Sequence, residues 1–252
     1  MTNHQLLGRA DLHMHTQASD GLPTVRELLD YVAERNRRRP QNRLDVIAIT
    51  DHDRVDAALW AYERRDQYPF DIIPGVEVSS AAGHVLGLWV QKPISKGLSL
   101  KDTVAAIHDQ GGLAVLAHPY HVQMGIVAHN AVRYTLRPKV LSEAKLDGLE
   151  GFNAGIVLPG TNILSRLLAR HTKLPVIGGS DAHTLGGIGC GQTRFPGTTA
   201  ADLRWAIVNG ETYAEGKPWP LNDYWNYLTS STHNTSSEFL AERLPSNRPT
   251  HP

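Results

Sequence analysis

Three times along this chain a short, largely apolar run ends in a histidine or an acid. Leu44–Thr50 leads into Asp51-His52-Asp53, Leu113–Ala117 into His118-Pro119-Tyr120, and Leu174–Gly178 into Gly179-Ser180-Asp181-Ala182-His183. Continuous apolar runs of this length, rich in β-branched residues, are the mark of parallel strands buried on both faces. Such strands need helices to cover them, and amphipathic segments lie between these runs. Thr24-Val25-Arg26-Glu27 has the form of a capping box, and Val25, Leu28, Leu29 and Val32 follow the helical period. That spacing predicts a helix over Val25–Arg37, and others are expected over 54–67, Leu98–Gln110, Pro159–His171 and Thr199–Asn209. Alternating strands and helices make an α/β barrel or an open sheet. Both place their active sites at the C-terminal strand ends. A chain of 252 residues suits one such barrel.

The other strand candidates also deliver chemistry. In Asp11–Gly21, DLHMHTQASDG, His13 and His15 are two residues apart, so on a strand they point the same way. Asp20 follows from the next loop. In Asp71–Ser80, Glu77 lies between Val76 and Val78, and a buried carboxylate there needs a cation or water. Gly83–Val90 opens on His84, and a hairpin of these two segments would bring Glu77 and His84 together. Leu146–Phe152 and Thr212–Ala214 are read as shorter strands. The nine candidate metal ligands are therefore His13, His15, Asp20, His52, Glu77, His84, His118, Asp181 and His183. Each alone has a plain alternative, a surface histidine or a capping acid, but nine at strand ends point to a polynuclear centre. The chain has 13 histidines and one cysteine, Cys190. That excludes an intramolecular disulfide framework and favours nitrogen and oxygen ligation of Zn, Mn or Fe. Asp51 and Asp53 either cap the following helix or orient His52.

Other classes fit less well. The Gly186–Gly191 loop has neither the register of a dinucleotide fingerprint nor a P-loop lysine. No run of about 18 apolar residues predicts a membrane span. The first residues lack an apolar stretch, so no signal peptide is expected and the cytoplasm is the default. Basic and acidic residues number 25 each, so no basic track predicts a stable nucleic-acid complex. Residues 121–145, with His121, His129, Arg133 and Arg137, read as an irregular, lid-like loop. Residues 217–228 hold two Trp and two Tyr and are expected to anchor the tail. Ser236–Leu244 would form a helical turn or two in an otherwise loose end. The expected division is 1–216 as the domain and 217–252 as a C-terminal tail.

DLHMHTQASDG, AITDHD, PGVEVS, GHVLGL, AHPY and GGSDAH, in this order across residues 10–215, resemble the PHP (polymerase and histidinol phosphatase) family. The opening resembles that family's small nucleotide-phosphatase branch. The resemblance implies a distorted (β/α)7 barrel with two or three divalent ions (Mn, Zn or Fe) at the C-terminal strand ends. One ion would take His13, His15, Glu77 and Asp181. A second would share Glu77 with His84 and His118, and a third would take Asp20, His52 and His183. It further implies hydrolysis of a small phosphomonoester by a metal-bridging hydroxide. Arg54, Arg133 and Arg194 are candidates to grip the phosphate. The rival expectations are an amidohydrolase-like C–N hydrolase and a non-catalytic metal-binding module.

Overall fold

The computed structural model describes residues 7–120, 141, 143–156, 158 and 160–231. In chain order its elements are β1 (Leu7–Asp11), α1 (Val25–Arg38), β2 (Val46–Ile49), α2 (Asp56–Glu63), β3 (Asp71–Ser80), β4 (Gly83–Leu88) and α3 (Leu100–His108). There follow β5 (Leu113–Leu116), β6 (Gly148–Asn153), α4 (Thr161–Thr172), β7 (Val176–Gly179), β8 (Gly191–Pro196), α5 (Ala200–Asn209), β9 (Tyr213–Gly216) and α6 (Leu221–Ser231).

The strands form one sheet in the order β7-β6-β5-β4-β3-β2-β1-β8-β9. β1, β2 and β3 run parallel to one another, as do β5, β6 and β7. β4 is antiparallel to both of its neighbours. The pivot is Pro74-Gly75 in β3. Residues up to Pro74 pair with β2, and residues from Gly75 pair with β4. Proline has no N–H for a second ladder, so the change of partner falls where the donor is missing.

The sheet curls until β7 meets β8. The Thr193 hydroxyl accepts from Gly178 N at 3.0 Å and donates to Gly178 O at 2.8 Å. A Cβ on Gly191 would lie 1.9 Å from Gly179 O, so only glycine permits this approach. The result is a nearly closed, distorted barrel, as the motifs imply. Its interior is filled by side chains such as Leu12, Val46, Ile73, Leu86, Val115, Ile177 and Phe195. Outside, α1 buries Leu28, Leu29 and Val32 against β2 and α2, and Thr24 caps it through the reciprocal bonds with Glu27 that the sequence predicts. Burial of such side chains stabilises by about 1.5–3 kcal/mol each.

Several boundaries differ from expectation. β1 ends at Asp11, so His13 and His15 lie just past the strand and not within it. The segment 54–67 splits into α2 and a short 3-10 turn, Arg65–Gln67. β8 begins where the glycine-rich loop Gly186–Gly191 ends, in residues for which the sequence predicts no strand, and α6 is present where the sequence reads an aromatic anchor. His121, His129, Arg133, Arg137 and Ser236–Leu244 lie outside the described residues, as does most of the 121–145 loop. Among the described residues no helix is long and apolar enough to cross a membrane.

Candidate metal centre

Beyond the end of β1 the chain stays extended, and His15 N donates to Ala182 O at 2.9 Å. This pairing sets the HxH segment beside the loop after β7, which carries Asp181 and His183. The imidazoles of His13 and His15 point the same way and meet two acids, Glu77 of β3 and Asp181 of the loop after β7. His13 Nε2 lies 3.2 Å from Glu77 Oε2 and 3.3 Å from Asp181 Oδ1. His15 Nε2 lies 3.3 and 3.1 Å from the same two atoms.

Glu77 is the hub. His52 Nδ1 stands 3.2 Å from its Oε2, and His84 Nδ1 and His118 Nε2 each stand 2.9 Å from its Oε1. The hairpin of β3 and β4 does bring Glu77 and His84 together. On the open side, Asp20 Oδ2 is 3.1 Å from His183 Nε2 and 3.7 Å from His52 Nε2. Among the described residues, three groups have the spacing to hold an ion: His13, His15, Glu77 and Asp181; His52, Glu77 and His84; and His15, Asp20, His52 and His183.

The donor set fits divalent ions for a reason beyond proximity. His13 Nε2, His15 Nε2, His84 Nδ1 and Glu77 Oε2 are buried and have no hydrogen-bond partner. They face one another at ion-pair distance without the geometry of a hydrogen bond. Each unpaired buried polar atom costs about 1–3 kcal/mol. Four such atoms, shared between two ligand groups that meet at Glu77, are explained by cations that accept their lone pairs.

The outer nitrogens are held from behind. His13 Nδ1 is 3.1 Å from Glu150 Oε1, and His183 Nδ1 is 2.8 Å from Asp181 O. Glu150 Oε2 accepts from His118 N and from Asn153 Nδ2, both at 2.9 Å. Asn153 Nδ2 also reaches Asp181 Oδ2 at 3.0 Å. Such partners fix the tautomer and orientation of ligating imidazoles. Asp11 accepts from Ser180 N and Gly189 N, joining β1 to both sides of the Asp181–His183 loop. Glu150, Asn153 and Asp11 were not singled out by sequence. Glu150 carries the signal used for Glu77, an acid in a buried strand.

The backbone is strained here too. His118, Asp53 and Asp181 have φ of 22°, 55° and 53°, conformations that cost side-chain-bearing residues about 1–3 kcal/mol each. Burial opposes charge on His15, but the carboxylates of Asp181 and Glu77 beside it outweigh that and push the imidazole up to about 10. His13 is also buried, and Asp181, Glu77 and Glu150 raise it well above the ordinary range. Burial would raise Glu77, yet His13, His84 and His52 hold it well below the usual carboxylate range. The pocket has a strong preference for positive charge.

Some expected roles fall elsewhere. Asp51 does not orient His52: it accepts from Thr16 N, Thr16 Oγ1 and Ser19 Oγ at 2.7, 2.7 and 2.6 Å, fixing the 16–19 loop. Asp53 accepts from Ser79 N near the end of β3. Arg54 pairs with Asp56 at 2.7 Å. Arg194 pairs with Glu215 at 2.9 Å and reaches Gly8 O, at the barrel end away from the ligands. Arg133 lies outside the described residues.

A family profile described as PHP-associated matches residues 159–212. The uncharacterised protein MJ1587 of Methanocaldococcus jannaschii is 28% identical over 157 residues, 58% of this chain and 82% of that protein. The 5'-3' exoribonuclease Rnm of Salmonella typhimurium is 39% identical over 84 residues, 31% of this chain and 26% of the exoribonuclease. A two-domain protein of Bacteroides vulgatus, described as containing a PHP-like metal-dependent phosphoesterase, superposes with a TM-score of 0.63. Its identity is 19%, over 84% of this chain and 66% of that one. The resemblance to the PHP family carried by the motifs is thus met again in the profile match and in the barrel itself.

Proposed function

We propose that the chain is a metal-dependent phosphoesterase that hydrolyses a phosphomonoester on a small molecule, a nucleotide or nucleoside bisphosphate being the class favoured by its motifs. The observation that carries this reading is the set of four buried, unpartnered ligand atoms around Glu77. Divalent ions held there by His13, His15, Asp20, His52, Glu77, His84, His118, Asp181 and His183 would neutralise phosphoryl oxygens and supply hydroxide, the pKa of water falling from 15.7 to about 7. Their chemical softness fits Mn, Zn or Fe.

The chain's own groups do the rest. Six imidazoles and three carboxylates leave two or three divalent ions with surplus positive charge, which favours a phosphate anion. Arg54 and Arg194 are engaged elsewhere, so among the described residues that surplus is the chief attraction for phosphate. Glu150 holds His13, and Asp51 fixes the loop that presents Asp20. Cys190 is no rival nucleophile, since it is buried and burial pushes its thiol up. Equal numbers of basic and acidic residues suit a small substrate better than a long nucleic acid. The C–N hydrolase reading fits less well, because Glu77 stands where amidohydrolase-like barrels usually place a bridging lysine.

The test is phosphate release by protein loaded with Mn2+, Zn2+ or Fe2+. The panel holds nucleoside monophosphates, 3',5'-bisphosphates, 5'-phosphorylated oligonucleotides, sugar phosphates and histidinol phosphate. Release from at least one small phosphomonoester is expected. Release from none, with ions shown to be bound by mass spectrometry, overturns the reading.

A further inference from the structure

α6 is fastened to the metal-ligand loop by buried anchors. Trp219 donates Nε1 to Ser180 O at 2.7 Å, and the Thr184 hydroxyl donates to Asp223 Oδ1 at 2.7 Å. Ser180 and Thr184 bracket Asp181 and His183. Tyr224 adds a bond from its hydroxyl to Ala154 O at 2.9 Å. Held this way, the helix places the Tyr227 ring 4.6 Å from the His183 ring. The Tyr227 hydroxyl donates to Asp20 Oδ2 at 3.1 Å.

Asp20 is the odd carboxylate of the three. Its side chain is 45% exposed, against 1% for Glu77 and 8% for Asp181. An exposed side chain on a loop loses rotamer freedom when it takes up an ion, unless something has already fixed it. Among the described residues, the hydroxyl donors within reach are Ser19 and Tyr227. Ser19 Oγ is 2.6 Å from Asp51 and 3.3 Å from Asp20, so its single proton serves Asp51. The other close neighbour of Asp20 Oδ2, His183 Nε2 at 3.1 Å, is itself a candidate ligand, so the phenol of Tyr227 is the hydroxyl that holds the Asp20 carboxylate from behind.

We propose that Tyr227 is a positioning residue for the ion held by His15, Asp20, His52 and His183, and that through it the C-terminal helix sets the occupancy of this ion selectively. The inference rests on the metal-centre reading above but not on any substrate. Removal of the phenol oxygen leaves the ring packing against His183 intact and takes from Asp20 its donor outside the ligand set. Loss of a partner behind a ligand typically weakens metal affinity about 10–100-fold, and here the loss falls on one ion.

The experiment is Mn2+ binding to the full chain, followed by calorimetric titration and by metal content at graded free Mn2+. The variants are Tyr227→Phe, Asp20→Asn, the two combined, and Tyr224→Phe as a control on helix packing. Circular dichroism and the melting temperature of the metal-free proteins confirm their folding. Tyr227→Phe is expected to weaken one ion about 10–100-fold and leave the others within twofold. Asp20→Asn should weaken the same ion, and the double variant should be no weaker than Asp20→Asn. Tyr224→Phe should leave the isotherm unchanged. An unchanged isotherm in Tyr227→Phe or in Asp20→Asn overturns the proposal. So does equal weakening of every ion, a match between Tyr224→Phe and Tyr227→Phe, or a wild type that binds fewer than three ions. Failure of the phosphate-release panel with these isotherms intact would remove the proposed activity and leave this inference standing.

Discussion

Glu150 shows how far a ligand's behaviour depends on what stands behind it. It touches His13 Nδ1 and His118 N while making no approach to the ion space itself. Glu150→Gln keeps the shape, removes the charge and leaves one acceptor oxygen for three donors, His13 Nδ1, His118 N and Asn153 Nδ2. Mn2+ affinity is expected to fall about 10–100-fold with the circular dichroism unchanged, and equal affinity in titration would make Glu150 merely a core group. His118→Ala removes a nitrogen 2.9 Å from Glu77. It should lower metal content and phosphate release together, whereas unchanged metal stoichiometry would break its assignment as a ligand. The residues that meet at the hub were legible because each stands out against an apolar run, as Glu77 does between Val76 and Val78. Glu150 has the same character, but the two glycines of Gly148–Asn153 weaken the apolar pattern around it. Asp51 could be recognised as special but not assigned a partner. Thr16 and Ser19 lie more than thirty residues away, and no spacing rule reaches that far.

At the scale of elements, a helix with local instructions is readable and a strand made by its neighbours is not. α1 carries its own start signal in Thr24 and Glu27. Thr24→Ala should cost about 1 kcal/mol in urea denaturation and leave Mn2+ affinity unchanged. β8 has no such signal. Its sequence, Gly191–Pro196, is a strand because β1 and β9 flank it, and strand propensity follows context more than residue type. α6 was hidden similarly, since its Trp and Tyr residues read as packing before they read as a helix. The β7–β8 contact is where a small change should reach the ligands. In Gly191→Ala the new methyl meets backbone at Gly179, two residues before Asp181. Overpacking of this kind costs about 1–3 kcal/mol. The expected result is a lower urea midpoint together with weaker Mn2+ binding, while an effect on stability alone would separate barrel closure from the centre.

For the molecule as a whole, the same pocket must be stable with ions and without them, and pH separates the two states. In the metal-free chain protons serve as the cations. The folded His15 titrates at about 10, above the 6.5 of an unconstrained imidazole. A pKa raised on folding contributes stability that is complete below the unfolded value and is lost as pH climbs through the folded one. His13 shifts in the same direction. The melting temperature of the chelator-stripped protein should therefore fall as pH rises from about 6.5 toward 10. With ions bound, the ligating imidazoles are neutral, and binding has released the protons that the empty pocket held. Metal affinity, and the stability linked to it, then rises with pH. At a free metal concentration 100 times Kd the bound state gains about 2.7 kcal/mol, and that gain should grow as protons cease to compete. Differential scanning calorimetry with saturating Mn2+ and with EDTA should show a gap between the two melting temperatures that widens with pH. A gap that stays flat or closes would mean that these imidazoles do not trade protons for metal, and that the cluster around Glu77 is an ion-pair network in its own right.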